Sequence, residues 1–391
     1  MKTMLKNKME WRKIKYLHSS PLGLMVKKLV DHLGYYFFNR NKDKEKFIIR
    51  LNEIRSIAIV NLGHIGDILL MLPMLDALRE NYNGKIILLV NPYVFELAKK
   101  IKMVDEVYCV PHPRFSRTNN GSWVETFKVF RSLKTDIVFV ADVYFFSIPF
   151  AYISRKKYFI GYNPVGFGFL FDLVLDYPYN MHITEKYYRF LDLLDIKRPK
   201  LKILTEYLYD VTNPLNDKDY IVIAVGTGAQ AKDWDDENFI ELINLILYDE
   251  KIIKNKKIVL LGKMEEERYR RYKIYHNDQK VIDLINRTTI TEAIGIIKDS
   301  TLFVGLDSGL THASAMLGIK TIALYSGTTG IGVWDPLNFS DNVDLIRVNN
   351  LFCNNNGHGC GKRYCKTRIC MNLITPLMVY NKICKYFKGN G

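Results

Sequence analysis

Three short polar stretches interrupt apolar sequence, and each contains residue types that could take part in catalysis or anion binding. They are Asn61-Leu-Gly-His-Ile-Gly-Asp67, Gly226-Thr-Gly-Ala-Gln-Ala-Lys-Asp-Trp234 and Gly305-Leu-Asp-Ser-Gly-Leu-Thr-His312. Each follows a β-rich run and precedes an amphipathic stretch, which indicates a strand-to-helix turn. Glycines at the start of a helix let backbone N–H groups approach a phosphate, and the helix dipole attracts the anion. The pattern therefore predicts three loops suited to an anionic ligand.

The first loop ends on Asp67, where the chain enters the helix. It lacks the G-x-G-x-x-G spacing of dinucleotide binders and the Lys-Ser/Thr ending of a P-loop, so neither hydride nor phosphoryl transfer is indicated. A carboxylate here would repel a phosphate but could accept a proton from an acceptor hydroxyl as a glycosidic bond forms. Gly63, His64 and Gly66 would then belong to the acceptor side. A helix-capping aspartate is the alternative, which the spacing alone favours.

The other two loops contain the groups that a nucleotide diphosphate and its sugar need. Thr227, Gly228 and Lys232 supply a hydroxyl, backbone donors and a cation; a glycine turn with a solvated lysine is the alternative. Asp307 could hold sugar hydroxyls, as carboxylates do well. The start of the following helix would surround an anion with N–H groups and a histidine, and its residues are Ser308, Gly309, Leu310, Thr311 and His312. A lone helical histidine is more often structural, but this whole polar run lies in apolar sequence, which favours function.

The elements that position these loops alternate between short β-rich runs and longer amphipathic stretches, which predicts an α/β fold with parallel sheets. Two Rossmann-like halves facing a central cleft would place the loops at the carboxyl ends of strands, where such folds bind ligands. The pattern dissolves from about residue 163 to 216 and then restarts. We predict strands over residues 56–61, 85–90, 106–110, 136–141, 220–225, 257–261, 281–283, 302–305 and 320–324.

The positive charge is concentrated at the two ends of the chain. The net charge is +15, of which residues 1–50 contribute +9 and residues 351–391 contribute +7. A nucleic-acid enzyme usually lines its working groove with such charge, so no nucleic-acid partner is expected, and an anionic membrane surface fits better. Apolar residues alternate with the basic ones near the N-terminus, as in a helix lying in a lipid interface; an extension packed on its own domain is the alternative. These apolar residues are Trp11, Ile14, Leu17, Leu22, Leu24, Met25, Leu29, Leu33, Tyr35, Tyr36, Phe37 and Phe38.

No segment has the sequence of a membrane span or a signal peptide. The longest apolar run, from Phe139 to about Ser154, is interrupted by Asp142 and is too short to cross a bilayer. The basic N-terminus has no uninterrupted apolar core and no small-residue cleavage site. We therefore expect a cytoplasmic protein, peripheral at the inner face of the cytoplasmic membrane.

Four cysteines and His358 lie close together near the C-terminus. Four thiolates in one short stretch of a cytoplasmic protein favour a structural Zn²⁺ over disulfides, because that compartment is reducing. The stretch has no C-x-x-C pair, so free thiols are the alternative. The cysteines are Cys353, Cys360, Cys365 and Cys370.

Taken together, the motifs resemble glycosyltransferase family 9, the heptosyltransferases of lipopolysaccharide synthesis. The resemblance spans roughly residues 56–335 and rests on the Gly-x-x-Gly-Asp67 turn, the Gly228-x-x-x-Lys232-x-Trp234 loop and the Asp307-Ser-Gly-x-x-His312 run. It implies a GT-B fold, inversion at the anomeric carbon, and catalysis without a metal or other cofactor.

The resemblance also implies residue roles. Asp67 would be the base, Lys232 would contact the donor phosphates, and Asp307 would hold the donor sugar, with residues 308–312 around the diphosphate. Glu265 or Glu266 would contact the nucleotide ribose. The expected domains are a basic extension over 1–55, an acceptor domain over 56–215, a nucleotide-sugar domain over 216–350 and a Cys-rich basic segment over 351–391.

The sequence thus predicts a glycosyltransferase that moves a sugar, heptose above all, from a donor such as ADP-heptose to a glycolipid or glycan acceptor. Two alternatives stay open. An epimerase or hydrolase of nucleotide sugars could use the same fold with a further carboxylate. A non-catalytic protein could bind a sugar nucleotide or an anionic lipid, although it would need no base.

Overall fold

The computed structural model describes residues 21–38, 47–115, 121–179, 181–215, 217–336, 339–354 and 359–388. Trp11, Ile14, Leu17 and His358 therefore lie outside the described residues. The chain divides into two compact units, residues 1–200 and residues 201–391.

Unit 1 contains a six-stranded sheet in the order β3-β2-β1-β4-β5-β6, and all paired strands run parallel. The strands are β1 (Ser56–Val60), β2 (Lys85–Val90), β3 (Glu106–Cys109), β4 (Thr135–Val140), β5 (Arg155–Gly161) and β6 (Leu173–Val174). The helices are α1 (Pro21–Phe38), α2 (Ile65–Asn81), α3 (Phe95–Ala98), α4 (Trp123–Ser132), α5 (Ser147–Ser154) and α6 (Glu185–Leu193).

Unit 2 contains a second parallel six-stranded sheet, in the order β12-β11-β10-β7-β8-β9. The strands are β7 (Tyr220–Ala224), β8 (Lys257–Leu261), β9 (Val281–Asp283), β10 (Leu302–Leu306), β11 (Thr321–Tyr325) and β12 (Val343–Arg347). The helices are α7 (Leu204–Tyr207), α8 (Asp236–Tyr248), α9 (Glu250–Ile253), α10 (Glu266–Tyr269), α11 (Ile290–Lys298), α12 (Gly309–Met316), α13 (Ile369–Asn372) and α14 (Pro376–Lys388).

Both sheets have the strand order of a Rossmann fold, in which the fourth strand pairs with the first. The order reverses between β1 and β4 in unit 1 and between β7 and β10 in unit 2. Helices cover both faces of such a sheet, so the central strands are apolar throughout. Residues 57–60 and 221–223, for example, are fully buried. Ligands of such sheets bind where the order reverses.

All nine predicted strands are present, each within about one residue of its predicted ends. Three strands were not predicted. β5 begins with Arg155 and two exposed lysines, β6 has only two residues, and β12 carries charges at an edge. Helix α6 lies in the stretch where the pattern dissolved, and it contributes to the site described below.

Among the described residues, no helix is long and apolar enough to cross a membrane.

Candidate functional site

Buried asparagines hold the loop after β1, which leads to Asp67. The side-chain amide of Asn91 donates to the carbonyl oxygens of Leu62 and Gly63, and the Gly63 N–H donates to Asn61 Oδ1 at 3.2 Å. Both asparagines are fully buried. A Cβ added at Gly63 would lie 2.5 Å from Asp67 Cγ, so the aspartate needs a glycine at this position. Gly63 thus allows the close packing of the Asp67 side chain.

Two groups hold the Asp67 carboxylate. Its Oδ2 accepts the His64 N–H at 3.1 Å, and its Oδ1 lies 3.2 Å from the Lys186 ammonium. The first contact belongs to a helix N-terminus, as the capping alternative requires. The second contact is not part of a cap, because it comes from α6, far along the sequence. The Asp67 side chain is 17% exposed, so its carboxylate is accessible as well as oriented.

Lys186 is the residue of this site that sequence reasoning missed. Its side chain is 2% exposed, and its ammonium lies 4.7 Å from the centroid of the Tyr187 ring. The Tyr187 hydroxyl in turn donates to the Asp67 carbonyl oxygen at 2.9 Å. A buried cation needs a partner, and here the partner is Asp67. The only signal in the sequence is a lysine on the apolar side of an amphipathic helix.

Asp142 connects the loops that follow β1 and β4. It is 3% exposed, and its carboxylate accepts the Leu62 N–H at 3.1 Å, the Tyr144 N–H at 3.0 Å and the Ser147 hydroxyl at 2.7 Å. Burial raises the pKa of Asp142 to about 6, although these hydrogen bonds oppose the rise. The carboxylate fixes the geometry of the strand pair at the point where the order reverses.

An aromatic cluster follows Asp142 in the same loop. The Phe146 ring stacks on buried His112 with centroids 3.8 Å apart, and half-exposed Trp123 meets His112 edge-on at 4.3 Å. The exposed Arg114 guanidinium lies 5.4 Å from the Tyr144 ring centroid. Burial lowers the pKa of His112 to about 4, so the imidazole is neutral near pH 7. Arg114 is thus the positive group of this cluster.

In unit 2, the second and third predicted loops meet. The Lys232 ammonium lies 2.7 Å from Asp307 Oδ2, because β7 and β10 are neighbours in the sheet. The Lys232 side chain is 24% exposed and that of Asp307 is 4% exposed. Nothing lies within 4 Å of a Cβ added at Gly228, so this part of the loop is open. A cation, a carboxylate and open backbone therefore lie together where the strand order reverses.

Thr227 shapes its own loop. Its hydroxyl donates to the Ala229 carbonyl oxygen at 2.8 Å, and its N–H donates to Asp233 Oδ1 at 3.0 Å. Gly226 has a φ of +79°, a left-handed conformation that favours glycine. Gly262, after β8, is equally constrained, because a Cβ there would lie 2.2 Å from the Val225 carbonyl oxygen. These contacts preorganise the loop around Gly228.

The third loop begins α12. Ser308 is the residue before the helix and Gly309 is its first residue, so the helix N-terminus lies beside Asp307 as predicted. Leu310 is partly exposed, whereas Thr311 is fully buried and its hydroxyl donates to the Leu306 carbonyl oxygen. The Thr311 side chain is therefore structural.

His312 and the pair Glu265 and Glu266 are the remaining residues predicted for the donor site. His312 is 2% exposed, and its ring centroid lies 6.1 Å from that of Trp334. Glu265 and Glu266 are both exposed at the start of α10. The Glu266 carboxylate lies 2.9 Å from the Lys273 ammonium, which lowers the pKa of Glu266. Glu265 is therefore the one that we retain for the ribose contact.

The C-terminal segment packs against the Lys232 loop, which the sequence did not indicate. The Ala231 N–H donates to the Arg363 carbonyl oxygen at 3.0 Å, and the Gln230 side chain exchanges two hydrogen bonds with the backbone of Cys365. The Arg363 guanidinium lies 3.5 Å from the Gly228 carbonyl oxygen. Arg363 therefore adds a second cation beside the open part of the loop.

The cysteines of that segment are free thiols in the structure. Among the described residues, which exclude His358, no group of three or more histidine, cysteine or acidic side chains is placed to hold a metal ion. Burial raises the pKa of Cys370, whereas hydrogen bonds from the Arg368 and Thr367 backbone and the Thr367 hydroxyl lower the pKa of Cys365. The thiols therefore lie in different environments.

Comparison with known proteins shows which family this chain resembles. Residues 169–358 match the family model of glycosyltransferase family 9 (heptosyltransferase). The resemblance to family 9 is confirmed, and the chain is a glycosyltransferase. The matched residues include α6 of unit 1 and both predicted donor loops of unit 2. No curated protein matches the sequence.

Solved structures confirm the fold. The E. coli heptosyltransferase WaaC with ADP is similar with a TM-score of 0.64 and 17% identity, covering 86% of this chain and 100% of that chain. E. coli ADP-heptose lipopolysaccharide heptosyltransferase II is similar with a TM-score of 0.62 and 18% identity, covering 86% of this chain and 99% of that chain. The glycosyltransferase family 9 protein from Veillonella parvula is similar with a TM-score of 0.62 and 16% identity, covering 86% of this chain and 98% of that chain. The α/β GT-B fold predicted from the sequence is thus correct.

A more distant similarity is to the iron-containing dodecameric glycosyltransferase TibC from enterotoxigenic E. coli. Its TM-score is 0.51 at 12% identity, and the comparison covers 86% of this chain and 77% of that one.

Proposed function

We propose that this glycosyltransferase moves heptose from ADP-heptose to an anionic glycolipid or glycan of the lipopolysaccharide type. The observation that carries the proposal is the pairing of Lys232 with Asp307 beside the open backbone at Gly228. The solved structures of similar fold include the E. coli heptosyltransferase WaaC with ADP and with ADP-2-deoxy-2-fluoro heptose, which supports this donor.

Unit 2 would bind the donor. In this proposal the Lys232 ammonium and the N–H groups at the start of α12 contact the diphosphate, where both the charge and the helix dipole favour an anion. The Asp307 carboxylate exchanges its ion pair with Lys232 for hydrogen bonds from the sugar hydroxyls, and Glu265 contacts the ribose. These groups stabilise the negative charge that grows on the leaving diphosphate, so we propose that catalysis needs no metal.

Unit 1 would supply the base. The acceptor hydroxyl oxygen attacks the anomeric carbon, the bond from that carbon to the diphosphate oxygen breaks, and the hydroxyl proton passes to the Asp67 carboxylate. Nucleoside diphosphate leaves, and one displacement inverts the configuration. Lys186 is a positioning residue in this scheme, because it orients the carboxylate from the buried side while Asp67 stays accessible.

The acceptor side is proposed to be anionic. Arg114 supports this, because its exposed guanidinium lies over aromatic rings in the loop that Asp142 connects to Leu62. Aromatic faces bind sugars and arginine binds phosphate or carboxylate, so the cluster suits an acidic sugar. We place the protein in the cytoplasm at the inner face of the cytoplasmic membrane, where such an acceptor would be presented.

The structural Zn²⁺ at Cys353, Cys360, Cys365 and Cys370 stays a prediction. Measurement of the metal content of purified protein tests it, with one equivalent of zinc as the expected result. Protein that is folded and metal-free would leave free thiols as the correct interpretation.

A transfer assay tests the proposed function. ADP-, UDP-, GDP- and CMP-sugars are supplied with a phosphorylated core glycolipid in the presence of a metal chelator. We expect transfer from the ADP-heptose donor only, with an inverted anomeric configuration in the product. Hydrolysis or epimerisation of the donor without transfer would contradict the proposal and favour the alternatives on the same fold.

A further inference from the structure

Helix α1 packs on unit 1 through its polar face. Asp31 is fully buried, and its Oδ1 accepts the Phe167 N–H at 2.7 Å. Tyr35 is also buried, with its ring edge-on to Phe169 at 6.0 Å. A buried hydrogen bond and an aromatic contact therefore position this helix.

The same face allows an unusually close approach. A Cβ added at Gly34 would lie 2.0 Å from Phe169 Cε1, so only glycine fits between the helix and the loop beneath it. Two turns away along the helix, the Lys27 ammonium lies 5.9 Å from the centroid of the Phe145 ring. The residues that α1 buries are thus Lys27, Asp31, Gly34 and Tyr35, none of which belongs to its aliphatic side chains.

The opposite face of α1 is apolar and exposed. At about 100° per residue, six large apolar side chains fall within an arc of roughly 120° that points away from Asp31 and Gly34. Most of them expose more than half of their surface. They are Leu22 (67%), Met25 (63%), Val26 (43%), Leu29 (57%), Leu33 (47%) and Phe37 (66%), and Tyr36, which is 63% exposed, lies in the same arc.

This arrangement is the reverse of an ordinary surface helix, which turns its apolar face inward. A contiguous apolar stripe of this kind on a soluble protein marks a binding surface. The only acidic residue of α1 is Asp31, which is buried, whereas Lys28 is basic and exposed. Residues 1–50 together carry a charge of +9. The partner that fits both features has an apolar interior and an anionic surface.

The stripe also lies at the edge of unit 1 that carries the proposed base. Phe145, which Lys27 covers, belongs to the loop that begins at Asp142, and Asp142 accepts the Leu62 N–H of the Asp67 loop. Phe167 and Phe169 follow β5 at the same end of the sheet. A surface that engages α1 is therefore brought to the side of unit 1 where the acceptor is proposed to bind.

We propose that the outer face of α1 is a docking surface for an anionic lipid bilayer, with the helix lying in the plane of the interface. The six apolar side chains enter the boundary between headgroups and acyl chains, and the basic residues around them contact the anionic headgroups. The link to a glycolipid acceptor rests on the proposed function, whereas the docking itself does not. An interfacial helix of this kind presents the Asp67 edge of unit 1 to molecules anchored in the same membrane.

Sedimentation with lipid vesicles tests the docking. The full chain is mixed at low salt with vesicles of phosphatidylcholine and phosphatidylglycerol, or of phosphatidylcholine alone. The wild type is expected to sediment with the anionic vesicles, and the double substitution Leu29→Glu/Leu33→Glu to lower its partition coefficient by about tenfold or more. The matched control is Tyr248→Glu/Ile274→Glu, which places the same charges at exposed apolar positions of unit 2 and should bind like the wild type.

Several outcomes would overturn the docking proposal. They are a wild type that stays in the supernatant, a control pair that loses as much binding as the α1 pair, and vesicle binding that appears only when residues 1–20 are removed. A wild-type dimer that Leu29→Glu/Leu33→Glu dissociates would show that a second copy covers the face instead. Calorimetric titration of each variant with ADP checks that unit 2 is intact, so failure of the docking is distinguished from failure of the proposed donor site.

Discussion

The two units share a strand order but differ at the point where that order reverses. In unit 1 the loops after the first and fourth strands are linked by a buried carboxylate, that of Asp142, which accepts hydrogen bonds from two backbone N–H groups and a hydroxyl. In unit 2 the corresponding connection is an ion pair, Lys232 with Asp307, whose lysine is partly exposed and whose neighbour Gly228 is open. The first arrangement fixes a loop, whereas the second leaves charges available to a ligand.

The difference shows how one topology can serve two tasks. A base must be held at a defined angle to its substrate, and buried partners such as Lys186 restrict Asp67 for that purpose. A donor diphosphate brings its own charges and needs a cation that can change partners. We therefore expect substitutions in unit 1 to act on turnover and substitutions in unit 2 to act on donor affinity.

The largest effect is expected at Asp67. Asparagine keeps an oxygen that can accept the His64 N–H but cannot take a proton, so Asp67→Asn should lower kcat by about 10²–10⁴-fold while the affinity for donor nucleotide stays unchanged. Asp67→Ala should lower kcat equally and also lower the melting temperature. If Asp67→Asn turns over like the wild type, Asp67 is only a helix cap.

Lys186 should come next, because it acts through Asp67. Replacing it with methionine keeps the apolar stem and removes the ammonium, and misorientation of the base should lower kcat roughly tenfold to a hundredfold. The affinity for ADP should not change. Lys157→Met, which removes an exposed lysine 4.0 Å from Asp136 in the same unit, serves as the control. Equal losses of kcat in both variants would show that Lys186 has no specific role.

Asp142 should change how the free energy of unfolding depends on pH. Its pKa is raised to about 6 in the folded state, above the value of about 3.9 in an unfolded chain. The folded protein therefore binds the Asp142 proton more tightly than the unfolded chain does. The stabilisation that this proton provides is complete below about pH 4 and is lost as the pH rises through 6. Urea unfolding should show the wild type losing up to about 1.4 kcal/mol per pH unit over this range relative to Asp142→Asn. Parallel pH profiles for the two proteins would contradict the account.

The smallest effect is expected at Arg363, the exposed second cation beside Gly228. Arg363→Ala should weaken the binding of ADP by a few fold, because an exposed charge contributes about 0–1 kcal/mol. Lys366→Ala is the matched control, since Lys366 is exposed in the same segment. Titration calorimetry measures the affinity of both variants for ADP. An equal loss in the two would show that Arg363 acts only through its charge and makes no specific contact with the ligand.

The sequence predicted the parts of this molecule that repeat with a regular period. The central strands are apolar throughout, and the glycine-containing loops after β1, β7 and β10 are evident from the sequence. The neighbours of those loops were not predictable. Lys186 reaches Asp67 from a helix in a stretch without clear periodicity, and Arg363 comes from a segment in which only the cysteines and the overall positive charge suggested a role. Both contacts depend on tertiary packing between residues more than one hundred positions apart in the chain.

Helix α1 illustrates a second limit. Its apolar and basic residues were evident from the sequence, but the pattern alone did not say which face the protein would cover. The structure buries Asp31 and Gly34 and leaves Leu29 and Leu33 exposed. An amphipathic pattern therefore predicts two faces, and only the packing of the helix identifies the one that is available to a partner.

Calorimetric titration of ADP into the protein, without divalent metal, tests the central claim most directly. We expect the wild type and Asp67→Asn to bind ADP equally, and Lys232→Ala to bind it about ten to a hundred times more weakly, since hydrogen bonds to charged groups contribute about 1.5–3 kcal/mol. If Lys232→Ala binds ADP as tightly as the wild type, the donor site is not at the point where the strand order of unit 2 reverses, and the division of tasks between the units is wrong.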